Sequence, residues 1–177
     1  MIYYRQNIDS LTEKFEKCSV IVLLGENYSL LQKDAKKISD ALAGKNADEE
    51  MRVNKYFNQE INEKRNEIIT SLKTKSFFPG RQIILLNELY EKDHKIITEI
   101  DTEWQNNDAI TIVTMNALSK KSDVIKLLAS SDRIAVVNYT NSKIDIDFFV
   151  KRLSDAGINY SGKEVLDVLF DFANFTP

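Results

Sequence analysis

Short apolar runs alternate with longer amphipathic segments along most of the chain. The apolar runs are of strand length and rich in aliphatic residues: Cys18–Gly25, Met51–Phe57, Arg81–Leu89, Ala109–Met115 and Arg133–Thr140. The segments after them repeat apolar residues at helical spacing, over residues 26–44, 58–75, 91–105, 119–130 and 145–157. Five strand–helix units in succession predict an α/β fold, a five-stranded parallel sheet with helices on both faces.

The C-terminal segment departs from this alternation. It begins with Ser161 and Glu164, which have the spacing of a capping box, and it predicts a helix beyond the sheet. We therefore expect an α/β domain over residues 1–142 and the start of a small helical domain over residues 143–177. Since apolar residues continue to the end, we expect this chain to be the front part of something longer.

Composition and charge narrow the functional classes. With 43% hydrophobic and 29% charged residues, the chain can bury an ordinary core. Its net charge of −3 argues against a general nucleic-acid or membrane-surface binder. No apolar run has the length of a membrane span, and the N-terminal residues lack a signal-peptide pattern. A single cysteine, Cys18, excludes an internal disulfide and fits a reducing, cytoplasmic location.

The turn after the first predicted strand is where an α/β sheet would bind a nucleotide. It reads LLGENYSLLQ, and a P-loop would need a second glycine and a lysine where Leu30 and Leu31 stand. The dinucleotide pattern G-x-G-x-x-G is also missing. We therefore expect neither nucleotide hydrolysis nor a bound cofactor.

The remaining candidates for chemistry have simpler structural interpretations. His94 lies in the charged stretch EKDHK and is expected at the surface, whereas Cys18 is expected in the core. Asp145 and Asp147 precede an apolar helical segment and suit the first turn of that helix. Trp104 is expected to be a packing anchor. The sequence thus predicts no catalytic residue and no metal site.

The stretch KTKSFFPGRQIILL places two phenylalanines beside a turn. Adjacent residues on a helix point about 100° apart, so Phe77 and Phe78 would not both face the core if a helix extended that far. We expect Pro79 and Gly80 to end that helix. Either the pair closes the core or it anchors a partner, and the residues alone leave both possibilities open.

Three stretches together resemble the delta subunit of the bacterial DNA polymerase III clamp loader. They are VIVLLGENYSLLQKDAKKI, SFFPGRQIILL and ITIVTMNALSKKSDVIKLL, and their order and spacing agree with that family from Val20 to Asn174. The resemblance implies an AAA+-like fold without a P-loop, no ATP hydrolysis, and binding of the beta sliding clamp to help open the ring. Many relatives have leucine where this chain has Phe77.

The resemblance also implies a site and further partners. A hydrophobic pair that enters a pocket on the clamp corresponds to Phe77 and Phe78, flanked by Leu72, Ser76 and Pro79. Other partners would be the gamma/tau and delta prime subunits, joined through C-terminal domains of the full-length protein. DNA would be contacted only indirectly or weakly, and no membrane is implied.

Two other functions remain possible from the residues. One is a nucleotide- or flavin-binding α/β enzyme with an unrecognised site at the carboxyl ends of the strands. The other is a structural subunit of a different AAA+ assembly, with Phe77 and Phe78 in its core. If the pair does bind a partner, three cations around it would attract an acidic rim: Lys73, Lys75 and Arg81.

Overall fold

A computed structural model describes residues 2–4, 8–118 and 122–139, together with Ser154 and Gly157. The chain divides into two compact units, Met1–Thr140 and Asn141–Pro177, and nearly all described residues belong to the first. Apart from Ser154 and Gly157, the predicted helix over 145–157 lies outside the described residues, and so do the pair Asp145 and Asp147 and the capping box at Ser161. The predicted domain boundary therefore stays a prediction.

The described residues of the first unit form an α/β fold around one parallel sheet. Its strands are β1 (Ile2–Tyr4), β2 (Val20–Leu24), β3 (Val53–Phe57), β4 (Ile83–Leu89), β5 (Ile110–Met115) and β6 (Ile134–Asn138). They are all parallel, in the order β1-β6-β2-β5-β4-β3. The prediction of five strands was one short, because β1 has only three residues and shows no periodicity. Each of the five predicted strands is present with shorter ends.

The helices follow the predicted segments with two exceptions, an additional helix near the N-terminus and the segment over residues 58–75. They are α1 (Ile8–Phe15), α2 (Tyr28–Ala43), α3 (Asn58–Ile61), α4 (Arg65–Lys73), α5 (Lys95–Glu103) and α6 (Asp123–Ala129). The segment over residues 58–75, predicted as one helix, forms both α3 and α4. The expectation that Pro79 and Gly80 end this helix was wrong, since Thr74 already has extended backbone at ψ 134°. Its hydroxyl donates to the Thr70 carbonyl at 3.2 Å.

Both faces of the sheet are covered, as predicted. Alternate residues of β2 enter two separate apolar clusters, Val20 and Val22 on one face and Ile21 and Leu23 on the other. The first cluster is completed by α3 to α6, and the second by α1 and α2. Along the described part of the chain, no helix is both long enough and apolar enough to cross a membrane.

Candidate partner-docking site

Residues 74–82, which we call the phenylalanine loop, connect α4 to β4. Because all strands of the sheet are parallel, the loop lies at their amino ends, the edge at which β4 begins. Ligands of open α/β sheets bind at the opposite edge, beyond the carboxyl ends of the strands. The phenylalanine loop therefore lies at the edge of the sheet opposite to the one at which a nucleotide would bind.

Phe77 and Phe78 both project into solvent. Phe77 is completely exposed, at 105% of its reference area, and Phe78 is 52% exposed. The loop folds back locally, since the Phe78 amide donates to the Ser76 hydroxyl at 3.1 Å. Pro79 and Gly80 are exposed as well. The possibility that the two rings belong to the core is contradicted by these exposures.

The N-terminal end of the phenylalanine loop is fixed to the end of α5 and the start of β5. The Leu72 carbonyl accepts from the Ala109 amide at 3.1 Å. The Lys73 ammonium donates to the Asp108 carboxylate and to the Glu103 carbonyl, both at 2.6 Å. Leu72 itself is 1% exposed and packs in the core under α4. The grouping of Leu72 with the contact residues needs correction, because a buried side chain can support the loop but cannot touch a partner.

The C-terminal end of the loop is fixed by the sheet. The Gln82 carbonyl accepts from the Ile110 amide at 3.1 Å, and the Ile83 amide donates to the Arg52 carbonyl at 2.9 Å. Anchors on both sides thus leave the tip, residues 76–80, as the part that projects. Because the loop is held at both ends, less conformational entropy is lost when its aromatic rings bind a partner.

The three cations around the loop differ in how their side chains are held. Lys73 is engaged by Asp108, and the Arg81 guanidinium donates to the Asp108 carbonyl at 3.4 Å. Lys75 is exposed. A cavity of about 200 Å³ opens beneath the loop, with Lys73, Lys75 and Arg81 in its wall, and neither phenylalanine lines it.

At the opposite edge of the sheet, the turn after β2 is closed by packing. A Cβ added to Gly25 would lie 2.8 Å from Cβ of Tyr139, a buried residue that follows β6. The Tyr139 hydroxyl donates to the Asp34 carboxylate at 3.0 Å. Asn27 caps α2, and its side-chain oxygen accepts from the Leu30 amide at 3.0 Å. The Leu30 amide N–H, which could otherwise donate to a phosphate, therefore already has an acceptor within the chain.

The predictions that Trp104 is a packing anchor and that Cys18 lies in the core are confirmed. Trp104 is buried, and its indole N–H donates to the Ala109 carbonyl at 3.1 Å. Cys18 is buried in the core, and burial raises the pKa of its thiol to about 11. His94 was expected at the surface but is half-buried, and its Nδ1 lies 2.8 Å from the Glu91 carbonyl oxygen. Within the described ranges, no three His, Cys, Asp or Glu side chains are close enough to hold a metal ion.

Sequence reasoning missed one residue that contacts the phenylalanine loop. Arg52 precedes β3, is 5% exposed, and donates to the Arg81 carbonyl at 2.9 Å. A lone arginine before a strand carries no signal for such a contact, because its partner lies 29 positions further along the chain.

The fold and the loop together define a class: an α/β domain with a six-stranded parallel sheet and no P-loop pattern that displays an aromatic pair. A family model described as DNA polymerase III, delta subunit, matches residues 21–140. This chain belongs to the DNA polymerase III delta subunit family.

Comparison of structures gives a more distant likeness. A crystal structure of a DNA polymerase III gamma subunit-related protein from Thermotoga maritima is similar to this chain, with a TM-score of 0.47 and 11% sequence identity. The similarity covers 93% of this chain and 57% of that chain. A comparison with curated proteins gave no match.

Proposed function

We propose that this chain is the clamp-binding part of a delta subunit in a bacterial DNA polymerase III clamp loader. It binds the beta sliding clamp through Phe77 and Phe78 and helps to open the ring for loading onto DNA. The observation that carries the proposal is the exposure of two adjacent phenylalanines at the tip of a loop that is fixed at both ends. Membership in the DNA polymerase III delta subunit family supports the choice of the clamp as the partner.

Burial of the two phenylalanine rings in a complex is more favourable than their exposure to water. Full burial of a phenylalanine side chain stabilises a complex by about 1.5–3 kcal/mol. Aromatic residues at the centre of an interface frequently carry most of its free energy. Because the loop is already ordered at both ends, less of that free energy is lost in fixing its conformation.

Opening of the ring requires no chemistry in this subunit. A protein that binds the open clamp more tightly than the closed clamp shifts the population towards the open state by that difference in affinity. We accordingly assign no catalytic residue to the chain. In a clamp loader assembly, the gamma/tau and delta prime subunits would be further partners, and contact with DNA would be indirect or weak.

The direct test is binding of the chain to the beta clamp of its own organism, with Phe77→Ala and Phe78→Ala variants alongside. Truncation of a hot-spot aromatic costs about 2–4 kcal/mol, so we expect Kd to rise by a factor on the order of 30 to 1,000. Phe57→Ala is the matched control, because Phe57 is 51% exposed but ends β3 at the opposite edge of the sheet.

Surface plasmon resonance at several clamp concentrations would give the affinities, and circular dichroism would show that each variant remains folded. The proposal requires Phe57→Ala to bind like the parent chain. Equal loss of binding in all three variants would indicate a general effect on folding. No binding by the parent chain would overturn the proposal.

A further inference from the structure

Arg52 makes contacts that join three separate segments of the chain. Its guanidinium donates to the Ala43 carbonyl at 2.7 Å, to the Arg81 carbonyl at 2.9 Å and to the Glu50 carboxylate at 2.5 and 2.8 Å. Ala43 is the last residue of α2, and Arg81 belongs to the phenylalanine loop. A buried cation with four such hydrogen bonds is costly to disturb, because any group left without its partner remains away from water.

Gly80 fits the same arginine closely. A Cβ at this position would lie 2.8 Å from Nη1 of Arg52 and 3.1 Å from its Cζ. Gly80 also has φ +121°, a conformation that side chains rarely adopt. The loop backbone therefore lies directly against the guanidinium, two positions after Phe78.

We propose that Arg52 is a positioning residue of the docking site, which fixes the direction in which Phe77 and Phe78 project. The relevance of Arg52 to clamp binding rests on the proposed function. Arg52 does not touch the partner, since it is nearly completely buried. It acts through the Arg81 carbonyl and through the backbone of Gly80.

The planar guanidinium is essential to this role. Its donors point in several fixed directions and reach one carboxylate and two carbonyls together. A lysine ammonium at the same position keeps the charge for Glu50 but cannot reach both carbonyls in that geometry. Arg52→Lys should therefore release the loop while preserving the ion pair with Glu50.

Amide hydrogen exchange tests the positioning directly. Within residues 76–83 the amides of Phe78 and Ile83 donate hydrogen bonds, and in Arg52→Lys we expect these two amides to exchange about tenfold faster than in the parent, the effect of losing one hydrogen bond to a charged group. Exchange in the central strands β2 and β5 should change less. Measured where both proteins are fully folded, clamp Kd should rise about fivefold to twentyfold, through faster dissociation.

Arg133→Lys is the matched control. Arg133 also bridges a carboxylate and a backbone carbonyl, both of Asp101, at 3.3 and 2.8 Å. We expect this control to leave exchange of residues 76–83 and clamp affinity unchanged. If Arg52→Lys does not fold, Glu50→Gln removes the carboxylate that holds the guanidinium and should shift exchange of the loop in the same direction, by a smaller factor.

The outcomes separate this inference from the proposed function. Unchanged exchange of the loop in the folded Arg52 variant, or equal acceleration throughout the chain, would overturn the positioning role whether or not the clamp binds. Faster loop exchange with unchanged clamp affinity would overturn its relevance to docking. A parent chain that does not bind the clamp contradicts the proposed function alone, since the exchange comparison still decides whether Arg52 fixes the loop.

Discussion

The side chains of Phe77 and Phe78 show how far residue type can mislead. Phenylalanine is normally a core residue, and composition alone would bury both rings. Leu72 and Trp104, with the same apolar character, are indeed buried. The difference lies in the backbone, since α4 ends at Lys73 and leaves the phenylalanines on a projecting loop. Sequence could name the pair as a candidate site but could not decide its exposure.

Cys18 gives a prediction about pH at the same scale. Its thiol is buried, and burial raises its pKa from 9.0 to about 11, with Asp101 also raising it. The folded chain therefore holds this proton more tightly than the unfolded chain. The resulting stabilisation is fully present below pH 9 and is lost as pH rises towards 11.

A comparison of the parent chain with Cys18→Ala isolates this contribution. The parent should lose up to roughly 2–3 kcal/mol more unfolding free energy between pH 8 and pH 11 than the variant does. Urea unfolding at half-unit intervals of pH would measure both profiles. Parallel profiles would show that the thiol does not contribute to the loss of stability at high pH.

The strands and helices were predictable wherever their apolar pattern was long. α2 lies within the predicted segment over residues 26–44; Asn27 caps its start, and it ends at Gly44, where φ is +91°. The interruption between α3 and α4 was not predictable, because residues 58–75 have continuous helical spacing and no glycine or proline. Local hydrogen bonding, such as that of Thr74 to Thr70, ends α4 without a sequence signal.

The close packing at the turn from β2 to α2 leads to a prediction about the stability of a Gly25 variant. Gly25→Ala would bring Cβ to 2.8 Å from Cβ of Tyr139, so one backbone must shift. We expect the free energy of unfolding to fall by about 1–3 kcal/mol, as for other overpacked core positions. Chemical denaturation of the purified variant would measure it.

The position of the clash provides the control for that variant. Tyr139→Ala keeps the Cβ that Gly25→Ala would meet, whereas Tyr139→Gly removes it. Addition of Gly25→Ala should therefore cost less in the Tyr139→Gly background than in the Tyr139→Ala background. Equal costs in the two backgrounds would mean that the contact with Tyr139 does not explain the need for glycine.

Across the whole α/β unit, the two edges of the sheet have different roles in our proposal. The phenylalanine loop and Arg52 lie at the amino edge, before β4 and β3 respectively. The turn at Gly25 lies at the carboxyl edge, where Tyr139 packs against it. The parallel sheet and its missing P-loop pattern could be predicted from sequence. The contact of Tyr139 with Gly25 could not, because it joins residues more than a hundred positions apart.

This arrangement leads to a prediction about nucleotides. Because Tyr139 packs against Gly25 and Asn27 occupies the Leu30 amide, we expect ATP with magnesium, or FMN, to shift the melting temperature by less than about 1 °C at millimolar concentration. Differential scanning fluorimetry with a P-loop ATPase as positive control would measure the shift.

A ligand that binds the folded chain with a Kd of one hundredth of its concentration would add about 2.7 kcal/mol to its stability. A shift of several degrees would therefore favour a nucleotide- or flavin-binding function. With no shift, binding to the clamp should also be independent of ATP, since neither Phe77 nor Phe78 lies at the carboxyl edge.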